Sequence, residues 1–140
     1  MKLMKFILAI MFFAFNFGAN AQMRYESEMS KFLGTWVESK SIDYDGRLKV
    51  VITKDDGEIF VKAVLQFPDD LPTNRVTIPI ESVSYKNGTI VTFGQIRRID
   101  AQPTFKLIIE YDDGRLKVSE YGGTKGKQLE FRSSHYLDID

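Results

Sequence analysis

The sequence predicts an all-β domain: an eight-stranded antiparallel up-and-down barrel with a short N-terminal helix. Three observations predict it. From Gly34 onward, apolar and polar residues alternate in runs rich in Val, Ile, Thr, Phe and Tyr, the period-2 pattern of half-buried strands. Asp56-Gly57, Asn87-Gly88 and Asp113-Gly114 cut these runs. Such pairs favour two-residue hairpin turns, because both central positions must adopt positive φ. Finally, one phrase occurs twice, as YDGRLKV over Tyr44–Val50 and as YDDGRLKV over Tyr111–Val118.

The elements follow in chain order. Residues 1–21 read as a secretory signal peptide: Lys2 and Lys5 form a basic start, Phe6 to about Phe17 is apolar, and Ala19-Asn20-Ala21 supplies the small residues of a cleavage site. The apolar stretch is short for a bilayer span, and Asn16 interrupts it. The absence of Cys excludes a lipid anchor at the cleavage site. Residues 22–140 form a single domain. Its expected helix covers residues 23–33, and its strands about 35–42, 47–54, 59–67, 75–86, 89–98, 104–112, 115–121 and 128–137.

Register supports the hairpins. A two-residue Asp56-Gly57 turn sets Ile52 opposite Val61, Val50 opposite Ala63 and Leu48 opposite Leu65, so apolar side chains meet across the pair. Asp113-Gly114 sets Tyr111 opposite Leu116 and Ile109 opposite Val118, with Glu110 meeting Lys117 on the other face. Around Asn87-Gly88 the apolar parity slips between Ile80 and Val83, and a bulge near Glu81-Ser82 absorbs it, with Pro79 on the outer face of a bent strand. The shorter copy of the repeated phrase needs a different turn. A three-residue Tyr44-Asp45-Gly46 turn with Gly46 left-handed sets Ile42 opposite Leu48 and points Trp36, the one Trp, inward. The same shift brings Glu38 and Lys40 to the inner face.

Composition excludes several classes. The chain holds 19 basic and 19 acidic residues; without Lys2 and Lys5 the balance is two negative charges. Nothing in it favours nucleic acid or an anionic membrane surface. An exported chain without Cys must be stable without disulfides, so it needs a substantial core.

The residues Phe32-Leu33-Gly34-Thr35-Trp36, at the entry to the first strand of an antiparallel meander after a short helical lead, resemble the lipocalin-like (calycin) barrels with their Gly-x-Trp motif. The resemblance implies that Trp36 sits at the closed end of the barrel and that an Arg of the last strand, here Arg132 in LEFRS, packs over it. It covers roughly residues 25–137. The chain departs from the family pattern in its short length, its lack of a C-terminal helix and its lack of a disulfide. Biotin-binding barrels also open with Gly-Thr-Trp, but they place several Trp at the ligand.

The inner face then includes Leu48, Val50, Ile52, Val61, Leu65, Ile78, Ile80, Ile90, Phe105, Leu107, Ile109, Leu116, Val118, Leu129 and Phe131. An eight-stranded barrel is either filled by such side chains or holds one small ligand. For the second case the candidate pocket residues are Trp36, Glu38, Lys40, Thr92, Phe105, Leu107 and Glu120. Glu38, Lys40, Thr92 and Glu120 are the polar groups toward the open end. Glu38 and Lys40 alternatively pair with each other or reach solvent.

Catalytic and metal signals are weak. His135, the one His, reads as a surface residue. Ser133, Ser134 and Asp138 lie close to it in sequence, but neighbours on one strand rarely converge and no nucleophile-elbow motif is present. Asp55-Asp56 and Asp112-Asp113 lack calcium-loop spacing and are explained by their turns. Asn87-Gly88-Thr89 matches a glycosylation sequon, but its turn already explains the Asn-Gly pair. The expected protein is periplasmic or secreted and binds a hydrophobic or amphipathic small molecule, with no catalysis, cofactor, metal or nucleic acid. The alternative is a filled barrel that binds an envelope protein or acts as an inhibitor, motivated by Val91 and Phe93 on the outer face.

Overall fold

The computed structural model describes residues 28–39, 46–67 and 75–140. The chain divides into two compact units, Met1–Lys31 and Phe32–Asp140. The described part of the first unit includes one helical turn at residues 28–30. The signal-peptide reading and the start of the expected helix lie outside the described residues.

The second unit is all-β. Among the described residues nine strands follow one another: β1 Gly34–Glu38, β2 Arg47–Asp55, β3 Glu58–Gln66, β4 Arg75–Ile78, β5 Ser82–Lys86, β6 Thr89–Gln95, β7 Thr104–Asp112, β8 Arg115–Gly123 and β9 Glu130–Ile139. They form a single antiparallel sheet in the order β4-β3-β2-β1-β9-β8-β7-β6-β5, curled into a half-barrel. The first and last strands pair at its middle, Trp36 facing Ile139 and Glu38 facing Leu137.

The turn chemistry behaves as the sequence requires. Asp56 and Gly57, Asn87 and Gly88, and Asp113 and Gly114 all have positive φ, the twist that matches flanking strands. The registers Ile52↔Val61, Val50↔Ala63 and Leu48↔Leu65 are observed. So are Tyr111↔Leu116, Ile109↔Val118 and Glu110↔Lys117. The inner-face residues Leu48, Val50, Ile52, Ala63, Ile90, Leu107, Ile109, Leu116, Val118 and Leu137 are fully buried. Each such Val, Leu or Ile stabilises the fold by about 1.5–3 kcal/mol.

The expected strand over 75–86 is two strands, which makes nine rather than eight. β4 pairs with β3, Ile78 facing Ala63, while β5 pairs with β6, Ser82 facing Phe93. Residues 79–81 therefore carry the chain from one edge of the sheet to the other. Pro79 has no N–H to continue a ladder. Beyond it, Glu81 donates its N–H to Phe93 O at 2.7 Å, and Arg97 pairs with both carboxylate oxygens of Glu81.

Two further registers differ from expectation. β1 meets β2 with Gly34 facing Ile52 and Trp36 facing Val50, four residues from the pairing a three-residue turn would give. Parity is kept, so Trp36 still points inward. Tyr44 and Asp45 lie outside the described residues, and β1 and β2 are linked through residues 39–46. On β9 a bulge interrupts the ladder: Glu120 faces Ser133 and Tyr121 faces Phe131, leaving Arg132 as the extra residue. Phe131, expected inside, is consequently outside and 57% exposed.

Candidate functional site

The inner faces of β1, β8 and β9 bring four polar side chains together. Glu38 follows Trp36 on the inner face of β1 and faces Leu137. On β9, His135 faces buried Val118, and Ser133 faces Glu120 on β8. The buried partners Leu137 and Val118 fix this side of the sheet as the interior.

His135 is the hub. Its Nδ1 lies 2.8 Å from Glu38 Oε2, and its Nε2 lies 2.9 Å from Ser133 Oγ. Nε2 is also 3.6 Å from Glu120 Oε2, at ion-pair range. Ser133 Oγ donates to Glu120 Oε2 at 3.1 Å. Glu38 turns its other oxygen to the Leu48 N–H, 3.3 Å away.

Counting protons gives the charge state. Ser133 has one hydroxyl proton, and it goes to Glu120. Nε2 must then donate to Ser133 Oγ, and Nδ1 must donate to the Glu38 carboxylate, which accepts only. With both ring nitrogens protonated, the ring is an imidazolium between two carboxylates. The electrostatics agree. Glu120, then Glu38, hold the imidazole above its ordinary value of 6.5 against the opposing effect of burial. His135, helped by Ser133 and more weakly by Arg132, holds Glu120 below the ordinary 4.5, again against burial. The side chains of His135, Glu38 and Glu120 are 15%, 16% and 28% exposed. They are sheltered yet within reach of solvent.

The connectivity Ser133–His135–Glu38 has the order of a nucleophile, a base and an orienting acid. Glu120 changes its chemistry. Its carboxylate accepts the Ser133 hydroxyl hydrogen bond at 3.1 Å, so that proton is directed away from the imidazole that would have to act as base. Among the described residues no group of His, Asp and Glu has metal-holding geometry. With its three protons used inside the cluster, the arrangement can instead orient a polar group that donates to the remaining carboxylate lone pairs.

The other predicted residues fall around this cluster. Thr92 is buried, in a transverse row that runs Thr92, Leu107, Glu120, Ser133 across four strands. Leu107 is buried between the two polar positions, and Phe105 packs against the core one row further on. Lys40 lies outside the described residues.

Trp36 is buried and belongs to an aromatic group on the other side of Glu38. Its indole N–H donates to Phe32 O at 2.9 Å. Tyr111 meets it edge-on at 6.3 Å, and Phe32 meets Tyr85 and Tyr111 at 5.9 and 6.1 Å. Arg132 does not stack on Trp36. It sits seven residues along β9 from Ile139, the residue facing Trp36, a separation on the order of 20 Å. The bulge instead lays Arg132 over Gly122, where a Cβ would fall 3.2 Å from its Nε, at the rim of the polar cluster.

His135 and Ser133 are the site residues that the sequence reading passed over. The available signal was parity: stepping back by twos from Leu137 reaches both on the inner face. No protein-family model, curated protein or solved structure matches the chain.

Proposed function

We propose that this is a small exported binding protein that holds a hydrophobic or amphipathic small molecule, rather than an enzyme. One observation carries the reading: a partly exposed, charge-paired network of Glu38, Glu120, Ser133 and His135 on the inner face of an otherwise apolar sheet. Polar groups placed on a curled apolar surface orient a ligand whose affinity comes from burial. The antiparallel meander and the buried Trp36 of Gly34-Thr35-Trp36 support a lipocalin-like relationship; the missing Trp36–Arg132 stack weighs against it. The apolar, Lys-flanked start of the chain supports export.

Displacement of a bound fluorescent apolar dye tests the reading. Saturable dye binding should weaken in Glu120→Gln and His135→Gln variants that remain folded by circular dichroism. Absence of saturable binding by any apolar probe rejects it.

A second reading, a protein-binding module, has its own support. Phe93, Lys106, Tyr121 and Phe131 face one another in turn across β6, β7, β8 and β9 on the outer face. The Lys106 ammonium lies 4.7 Å from the Tyr121 ring and 5.9 Å from that of Phe93. Tyr121 meets Phe131 edge-on at 5.6 Å. Exposed aromatics in one row are the residue types that anchor interfaces. A partner whose binding is lost in Phe93→Ser and Phe131→Ser, together with no dye binding, favours this reading.

A further inference from the structure

We propose that a groove on the outer face of β2, β3 and β4, remote in function from the inner polar cluster, is an anion-binding site for a phosphate or carboxylate on a short apolar stem. The groove encloses about 300 Å³ and is lined by Lys49, Val51, Lys62, Val64, Arg75 and Thr77, with Gln66 at its side. That volume is at the lower end of the range for small-molecule sites.

Register explains how the lining assembles. Lys49 faces Val64, which faces Thr77; Val51 faces Lys62; and Gln66 faces Arg75. Every lining residue therefore lies on the outer face of its strand. Three cations from three adjacent strands surround a floor made by Val51 and Val64. Arg47 faces Gln66 from the other side and adds a fourth positive charge at the margin.

Charge balance makes this grouping informative. The full chain is neutral, yet among the described residues Lys49, Lys62 and Arg75 have no ion pair with a carboxylate. The acids on the same face, Asp55 and Glu58, lie at the hairpin tip. Glu58 is four residues from Lys62, about 13 Å along the strand, beyond the screening distance of about 8 Å at physiological salt. Asp138 on β9, separated from β2 by β1, is held by Arg115 at 2.8 Å. Like charges gathered on neighbouring strands repel one another, and a bound oxyanion offsets that repulsion while accepting charge-assisted hydrogen bonds from Lys and Arg. The two valines select for an apolar stem over a bare ion.

The test is a titration of the intact protein, followed by amide chemical shifts, with inorganic phosphate and with octyl phosphate. Vesicles of phosphatidylglycerol and of phosphatidylcholine are examined in parallel by co-sedimentation. Octyl phosphate should saturate, with shifts centred on Lys49, Val51, Lys62 and Val64, and should bind about tenfold or more tightly than inorganic phosphate. Lys62→Glu should weaken that binding about tenfold or more, while Lys125→Glu, in the exposed β8–β9 connection, should leave it unchanged. Saturation without vesicle binding assigns a soluble ligand; co-sedimentation with phosphatidylglycerol alone assigns a lipid headgroup; either supports the groove. Shifts that never saturate or spread evenly over all Lys and Arg residues overturn the proposal, as does an unaltered titration in Lys62→Glu.

Discussion

The backbone of Pro79 crosses against Gly94: a Cβ built on Gly94 would fall 1.7 Å from the Pro79 carbonyl oxygen and 2.3 Å from its carbonyl carbon. No rotamer relieves that clash, because both partners are main chain. Gly94→Ala should therefore force the corner at residues 79–81 off the sheet and destabilise the protein by more than about 3 kcal/mol. Urea unfolding measures this, and a loss below about 1 kcal/mol would show that the crossing is not maintained in solution.

Trp36 and Arg132 should behave as independent residues. Trp36→Ala should cost roughly 3–5 kcal/mol, as truncating a buried aromatic does. Trp36→Phe should cost less, chiefly for the lost bond to Phe32 O, about 1 kcal/mol. Arg132→Ala should change stability by no more than about 0.5 kcal/mol. The double mutant should show additive losses, as distant sites do; coupling above about 1 kcal/mol would show a Trp36–Arg132 contact that the observed register does not contain.

Stability should depend on pH through His135 and Glu120. His135 has a raised folded-state value, so its contribution is complete below 6.5 and disappears as pH rises through that raised value. Glu120 has a lowered one, so its contribution is complete above 4.5 and disappears as pH falls through that lowered value. The stability difference between wild type and His135→Gln should thus be greatest between these two pH values and shrink on either side. Denaturant titrations at several pH values, with the His135 ring followed by NMR, measure it. A difference that stays constant across the whole range would remove the charged network.

An Asp inserted after Asp45, copying the longer form of the repeated phrase, should be tolerated. The described β1–β2 pairing lies four residues from the one that a Tyr44-Asp45-Gly46 turn requires, so the length of that turn does not set it, and lengthening a connection by one residue costs little. Thermal unfolding should shift by no more than a few degrees. A large fall would mean that Tyr44-Asp45-Gly46 sets the register after all.

Local signals in the sequence carried well. Asp56-Gly57, Asn87-Gly88 and Asp113-Gly114 each placed a turn correctly because two adjacent residues demand positive φ, and apolar alternation then set the pairing of β2 with β3 and of β7 with β8. What failed depended on non-local geometry. The β1–β2 register did not follow from the Tyr44-Asp45-Gly46 turn chosen for it, so parity survived while the pairing moved by four. The bulge at Arg132 leaves no mark in composition, and it turned Phe131 outward. Glu38 and Glu120 were legible as polar residues at inner positions. His135, which joins them, was not, because a lone His near a chain end reads as surface until β9 is paired with β1.

The strand order has a kinetic consequence. Every neighbouring pair of strands in the sheet is consecutive in sequence except β1 with β9. Seven of the eight ladders join strands that are consecutive in sequence, and one must bring together residues nearly a full domain apart, which raises contact order and slows its formation. The Glu38–His135 bond spans exactly that ladder, 97 residues apart in sequence. The polar site is therefore incomplete, without Glu38, in any partly folded species in which the terminal strands have not yet met. A ligand that engages it recognises only the finished fold, and by mass action it will stabilise that last ladder in proportion to its own free concentration.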